Sequence, residues 1–64
     1  MTNQEIINYF GGRTVYKYTG SLEELQHLQE TNNNSYNYII VSDVIYFVAN
    51  DPVIDSKAQE ITGE

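Results

Sequence analysis

His27 is the single histidine of the sequence and its only conventional general base, and Glu23 stands four residues before it. That spacing brings two side chains together on a helix. A carboxylate beside an imidazole is part of many hydrolytic sites. A working site also needs a nucleophile beside the base, a bound metal, or a carboxylate pair in a pocket. Glu23, His27 and Glu30 all fall on the face of their helix turned away from its leucines, so the Glu23–His27 pair reads as two exposed neighbours. Glu23 and Glu24 sit in a first helical turn, where the helix dipole favours acids without any catalytic reason. The chain has no cysteine, which removes thiolate zinc sites and disulfides. One histidine cannot assemble a metal cluster. Gly11-Gly12 is a turn or a helix stop, not a phosphate-binding loop. These residues predict a protein that is not an enzyme and carries no cofactor or metal.

The remaining chemistry is that of a binding surface. Nine acids face three bases (Arg13, Lys17 and Lys57), giving a net charge of −6. Such a chain is repelled by nucleic acid and by anionic membranes and is drawn to basic surfaces, including the DNA-binding clefts of other proteins. Acidic side chains can imitate phosphates. Six tyrosines supply rigid amphipathic contact area at low entropic cost.

The elements that must position these groups are legible in part. "TNQE" at the start reads as a capping box from Thr2 to Glu5. Ile6, Ile7 and Phe10 follow at helical spacing, and Gly11-Gly12 stops the helix. The same residues also fit a hairpin, with "EIINYF" and "RTVYKY" joined at Gly11-Gly12. "RTVYKYTG" is β-rich, with Tyr16 and Tyr18 on one face, Val15 on the other, and Gly20 at its end. "GSLEELQHLQETNNN" is the clearest helix. Ser21 and Glu24 form a second capping box, Leu22, Leu25 and Leu28 make the apolar stripe with Gln29 beside it, and Asn32, Asn33 and Asn34 form a polar loop.

"SYNYIIVSDVIYFVAN" holds about two-fifths of the apolar residues. Asn37, Ser42 and Asp43 interrupt it, and a spanning helix needs about 20 apolar residues, so it is no membrane anchor. Tyr36 to Val41 and Val44 to Ala49 read as two strands with Ser42-Asp43 as the turn. One long bent strand is the alternative. Alternation is weak in both strands, which predicts that both sheet faces are covered. Short helices cover one face, and a second protomer is expected to cover the other through Tyr38, Ile39, Val41, Ile45 and Phe47. A chain of 64 residues is marginal by itself, which also favours a homodimer.

The expected fold is therefore α+β: a small antiparallel sheet with one or two short helices, in the order α (or β)-β-α-β-β, completed by homodimerisation. Residues 1–50 form a single domain. From Asp51 the pattern ends, and residues 51–64 are expected to be a loose polar tail. "MTNQEIINYFGG" lacks a basic segment and a long apolar run, so a cytoplasmic location is expected.

The stretch "VYKYTGSLEELQHLQETN" resembles the small dimeric uracil-DNA glycosylase inhibitors of some Bacillus phages. Tyr16-Lys17-Tyr18 matches the aromatic-rich strand of that family, Gly20, Ser21 and Leu22 the start of its acid-rich helix, and Asn32 to Asn34 the loop after it. The resemblance covers about a third of the chain. It implies an inhibitor built from two protomers in the host bacterial cytoplasm. Their helices would line an apolar pocket that grips the side chain which the glycosylase wedges into the DNA minor groove, with acids around it standing in for phosphates. By position, Leu25, Leu28 and Gln29 fall at or near pocket-lining places, Gln26 falls where the family has a functional acid, and Lys17 where its strand has another. The helix lacks the family's aromatic rings, so Tyr16 and Tyr18 are expected to supply them, and Glu23, Glu24 and Glu30 to replace the missing acids. Two other readings use the same residues: an acidic phage inhibitor of a different nucleic-acid-processing host protein, and a small structural or self-assembly subunit. Docking of acids on a basic cleft weakens as salt rises, whereas apolar self-association does not.

Overall fold

A computed structural model describes residues 1–51, 53 and 55–63. Helix α1 spans Asn3–Tyr9. The Thr2 hydroxyl accepts from the Glu5 amide (3.2 Å) while the Thr2 amide donates to the Glu5 carboxylate (2.9 Å), which completes the capping box. The helix, not the hairpin, is what these residues form. It stops where Gly11 and Gly12 take φ of +74° and +82° in succession, and the Gly12 amide donates back to the Ile7 carbonyl at 2.9 Å. Two adjacent left-handed residues favour glycine at both places.

Strand β1 is Tyr16–Tyr18, and helix α2 is Leu22–Thr31. Ser21 caps α2 by accepting from the Glu24 amide at 3.2 Å. The reciprocal half of the expected second capping box does not form, because the Glu24 carboxylate turns to Lys57 instead. Asn33 adopts φ of 50°, and the Asn34 amide donates to the Gln29 carbonyl, so the asparagine run ends α2 as a left-handed cap.

Strands β2 (Tyr36–Val41) and β3 (Val44–Ala49) form a hairpin in the register Val41↔Val44 to Tyr36↔Ala49. Ser42 and Asp43 make the turn, with φ of 51° and 64°. Positive φ at both central residues matches the twist of the strands; Asn and Asp tolerate it, and glycine, preferred at the second position, adopts it without strain. Replacing Asp43 with Gly is expected to raise stability by about 1 kcal/mol. Thermal unfolding of Asp43→Gly beside the parent chain checks this, and a lower midpoint for the variant would contradict it.

Residues 51–64 are not the loose tail expected from their composition. Ala58–Glu60 form β4, which pairs with β1 in the register Tyr18↔Ala58 to Tyr16↔Glu60. The result is an antiparallel sheet in the order β2-β3-β1-β4, with the short β1 at its centre.

The coverage of the sheet also differs from expectation. Each helix takes its own face. Under α2 lie Tyr18, Leu25, Tyr36, Ile45 and Phe47, joined by Leu22 and Leu28. Under α1 lie Ile6, Val15 and Val48, joined by Ile7, Phe10 and Ile61. The weak alternation of β2 and β3 correctly signals two covered faces, but one chain supplies both covers. Ile45 and Phe47, expected at a dimer interface, are instead buried in the chain's own core, Phe47 completely. Its ring stacks on Tyr16 and Tyr36 at centroid distances of 5.4 and 5.1 Å and meets the Tyr18 ring edge-on. Ile39 packs on the α1 side, Val41 is half-buried, and Tyr38 stays exposed.

Candidate functional site

The residues expected to bind a partner do not form one surface. Leu25 is 1% exposed in the core beneath α2 and cannot reach a partner. Tyr16 is half-buried against Phe47. Gln26 is exposed on α2, while Gln29 and Glu30 border a small groove of about 210 Å³ at the end of that helix, beside Asn33 and Asn34. Lys17 pairs across the sheet with Tyr46 and Gln59, on the face opposite α2.

Tyr18, Glu23, Glu24 and Leu28 do come together. They line an open groove of about 590 Å³ between the flank of α2 and the turn leading into β4. Glu24 and Leu28 stand four residues apart along one side of α2, Glu23 and His27 likewise along the adjoining side, and the groove spans both. Tyr18 rises from β1 beneath them. Gly20 lets this approach happen: a β-carbon there would meet the Tyr18 ring at 2.6 Å and the Glu24 carboxylate at 2.8 Å. Sequence reasoning missed the opposite wall, formed by Asp55 and Lys57, and it missed that His27 borders the groove. Helical spacing turns His27 away from the leucines, yet its exposed side chain on the helix flank still reaches the rim.

The far wall is fixed by a compact turn. The Asp55 carboxylate accepts from the Lys57 amide at 2.7 Å, and the Asp55 carbonyl accepts from the Ala58 amide at 3.1 Å. The Lys57 carbonyl accepts from both the amide and the hydroxyl of Thr19. Across the groove, Lys57 forms an ion pair with Glu24. The Tyr18 hydroxyl donates to Asp55 at 3.5 Å, a weak contact.

The ionisation of these groups follows from their contacts. The hydrogen bond from Lys57 holds the Glu24 carboxyl below the usual carboxylate range, and the same bond raises the Lys57 ammonium above the usual lysine value. Burial pushes the Tyr18 phenol up, with the charge of Asp55 adding to it, so Tyr18 stays a neutral donor. At the other end of the chain, the Thr2 amide lowers the Glu5 carboxyl. Lowered carboxyls stabilise the fold above their unfolded pKa, and that contribution disappears as pH falls through the folded value. A raised lysine stabilises below its unfolded pKa, and its contribution is lost as pH rises through the folded one. Glu24→Gln is therefore expected to lower the unfolding midpoint by a small, constant amount across neutral pH. The difference from the parent should shrink below the ordinary carboxylate range and again above the ordinary lysine range. The effect is small because both partners are nearly half exposed. Midpoints measured across pH check the shape, and a difference that peaks in acid would contradict it.

Chemically, the groove offers an apolar floor from Tyr18 and Leu28 and three carboxylates, Glu23, Glu24 and Asp55, of which Lys57 offsets one. Among the described residues, no group of three or more His, Cys, Asp or Glu is placed to hold a metal ion. No described helix is long and apolar enough to cross a membrane. The chain is a small three-layer α+β domain, one helix on each face of an antiparallel sheet, with an acid-rimmed groove on the α2 side. No known protein family, curated protein or solved structure matches it.

Proposed function

We propose that this chain is a DNA-mimicking inhibitor that blocks the DNA-binding cleft of a host uracil-DNA glycosylase, with the groove between α2 and the Asp55–Lys57 turn as its docking site. The observation that carries the reading is the pairing of an apolar floor, Tyr18 and Leu28, with a carboxylate rim, Glu23, Glu24 and Asp55. A glycosylase's DNA-binding side presents both matching features, a protruding apolar wedge and a basic phosphate-binding rim. The wedge enters over Leu28 and the edge of the Tyr18 ring, and the carboxylates face the cations that otherwise hold phosphates. Leu25 plays no direct part. Glu30, with the neutral amide of Gln29 beside it, extends the acidic surface toward the end of α2.

In this reading the chain acts in the cytoplasm of a host bacterium, performs no catalysis and needs no cofactor. It does not bind DNA, because a net charge of −6 opposes phosphate contact. The test is titration of uracil excision by a bacterial uracil-DNA glycosylase, with the parent enzyme and with its wedge residue replaced by alanine. The expected result is stoichiometric inhibition of the parent enzyme and weaker inhibition of the variant. Full excision at a molar excess of this chain would refute the reading. Equal inhibition of both enzymes would leave the acidic contacts and remove the wedge from the mechanism. The groove's charge also suits other proteins with basic clefts, and capture from a bacterial lysate separates those targets from a glycosylase.

A further inference from the structure

The outer edge of β2 is open. It runs six residues, Tyr36–Val41, with no charge, no proline and no bulge, the devices that normally protect a sheet edge. The opposite edge, β4, is half as long and carries Glu60. Which backbone groups of β2 point outward follows from the register. The Val15 carbonyl and the Thr19 amide bond toward the β4 side, to Ile61 and Lys57. Tyr16 and Tyr18 therefore bond to Phe47 and Ile45 of β3. Alternation then directs Val44, Tyr46 and Val48 toward Val41, Ile39 and Asn37 of β2. The amides and carbonyls of Tyr36, Tyr38 and Ile40 are left facing out of the sheet. Side chains exposed beside them include Tyr38 at 42% and Ile40 at 54%.

We propose that this edge is occupied by a second copy of the chain, β2 against β2 in antiparallel register, joining two four-stranded sheets into one of eight. Three outward-facing residues centred on Tyr38 are complementary to themselves. A two-fold axis at Tyr38 sets Tyr38 against Tyr38 of the second copy and Tyr36 against its Ile40, using all three outward amides and carbonyls of each copy. Charge selects the occupant's approach. Two chains of −6 each repel, and Ser35 to Ser42 is a stretch without a charge, so in this register no acid opposes an acid. Near Tyr36 the edge borders a groove lined by Tyr9, Phe10, Arg13 and Asn37. This interface uses the edge of β2, whereas the interface expected from sequence used a sheet face. It does not rest on the proposed inhibitory role, and the docking groove lies on the flank of α2.

The test is sedimentation of the full chain from micromolar to millimolar concentration, with amide hydrogen exchange at both ends of that range. The expected result is a shift from 7.4 kDa toward twice that mass, with added protection at the amides of Tyr36, Tyr38 and Ile40. Rising salt should tighten the dimer, since it screens the repulsion between acidic chains. Tyr38→Lys places like charges against each other on the axis and should raise the dissociation constant by roughly tenfold or more while the unfolding midpoint of the monomer holds. The chain has no cysteine, so Tyr38→Cys gives a single thiol. In a hydrogen-bonded antiparallel pair the two Cα atoms lie about 5.5 Å apart, within disulfide reach, and mild oxidation should link the copies faster than it links Thr31→Cys. A chain that stays at 7.4 kDa throughout would overturn the proposal, as would a dimer indifferent to Tyr38→Lys or one that leaves those three amides unprotected.

Discussion

Phe47→Ala is expected to leave the chain unfolded at room temperature. Phe47 is fully buried at the centre of β3, and three tyrosine rings, Tyr16, Tyr18 and Tyr36, rest against it. Removing a buried phenylalanine ring costs about 3–5 kcal/mol, from lost transfer energy and from the cavity left behind. A domain of this length has only about 3–10 kcal/mol in total. Truncation here therefore removes most of the stability, and the stacked tyrosines lose their common support together. Far-ultraviolet circular dichroism and urea titration check this. A cooperative transition with a midpoint close to the parent's would show that the aromatic cluster is not the core. Leu25→Ala should behave similarly, since Leu25 is equally enclosed, and any loss of inhibition in that variant would report unfolding, not a lost contact.

The second large effect concerns association with the basic partner. Neutralising the rim together, with Glu23→Gln, Glu24→Gln and Asp55→Asn in one chain, is expected to slow association by about 10–100-fold at low salt. Rim carboxylates steer encounter through long-range attraction, which is screened beyond about 10 Å at ordinary ionic strength. The gap between variant and parent should therefore narrow as salt rises. Leu28→Ala should act on the other rate, speeding dissociation, because an apolar floor contributes only once the partner is seated. Stopped-flow association at several salt concentrations separates the two. A triple variant that associates as fast as the parent at low salt would mean the groove is not the docking site. Thermal unfolding must accompany each variant, since Asp55 also anchors the turn into β4.

Helix α2 was legible in the sequence because its signals are local: Ser21 caps it, three leucines repeat at helical spacing, and asparagines end it. The β2–β3 hairpin was legible for the same reason. Its turn lacks the usual Asn-Gly, but the two strands are long enough to be recognised without it. Strand β4 was hidden because Ala58, Gln59 and Glu60 have little strand preference of their own, and their extended form comes from pairing with β1. The missing strand in turn hid half of the site. Helical spacing alone places Glu24 beside Leu28 and Glu23 beside His27. Asp55 and Lys57 reach them only because β4 closes beside β1, some thirty residues later in the chain. Leu25 and Leu28 carry the same side chain three residues apart, yet one is sealed in the core and the other borders the groove. Helix periodicity alone does not resolve that difference, because it depends on where the sheet lies.

The closure of β4 has a further consequence at the margins of the fold. The Asn3 side chain donates to the Thr62 carbonyl at 3.3 Å, and Ile61 packs with Ile6 and Val15 beneath α1. The polypeptide thus enters and leaves the domain at one point, on the side of the sheet away from the acid-rimmed groove. The domain can be grafted whole into a surface loop of a carrier protein, or tethered to a sensor chip by either extremity, without stretching the backbone and with its acidic side turned outward.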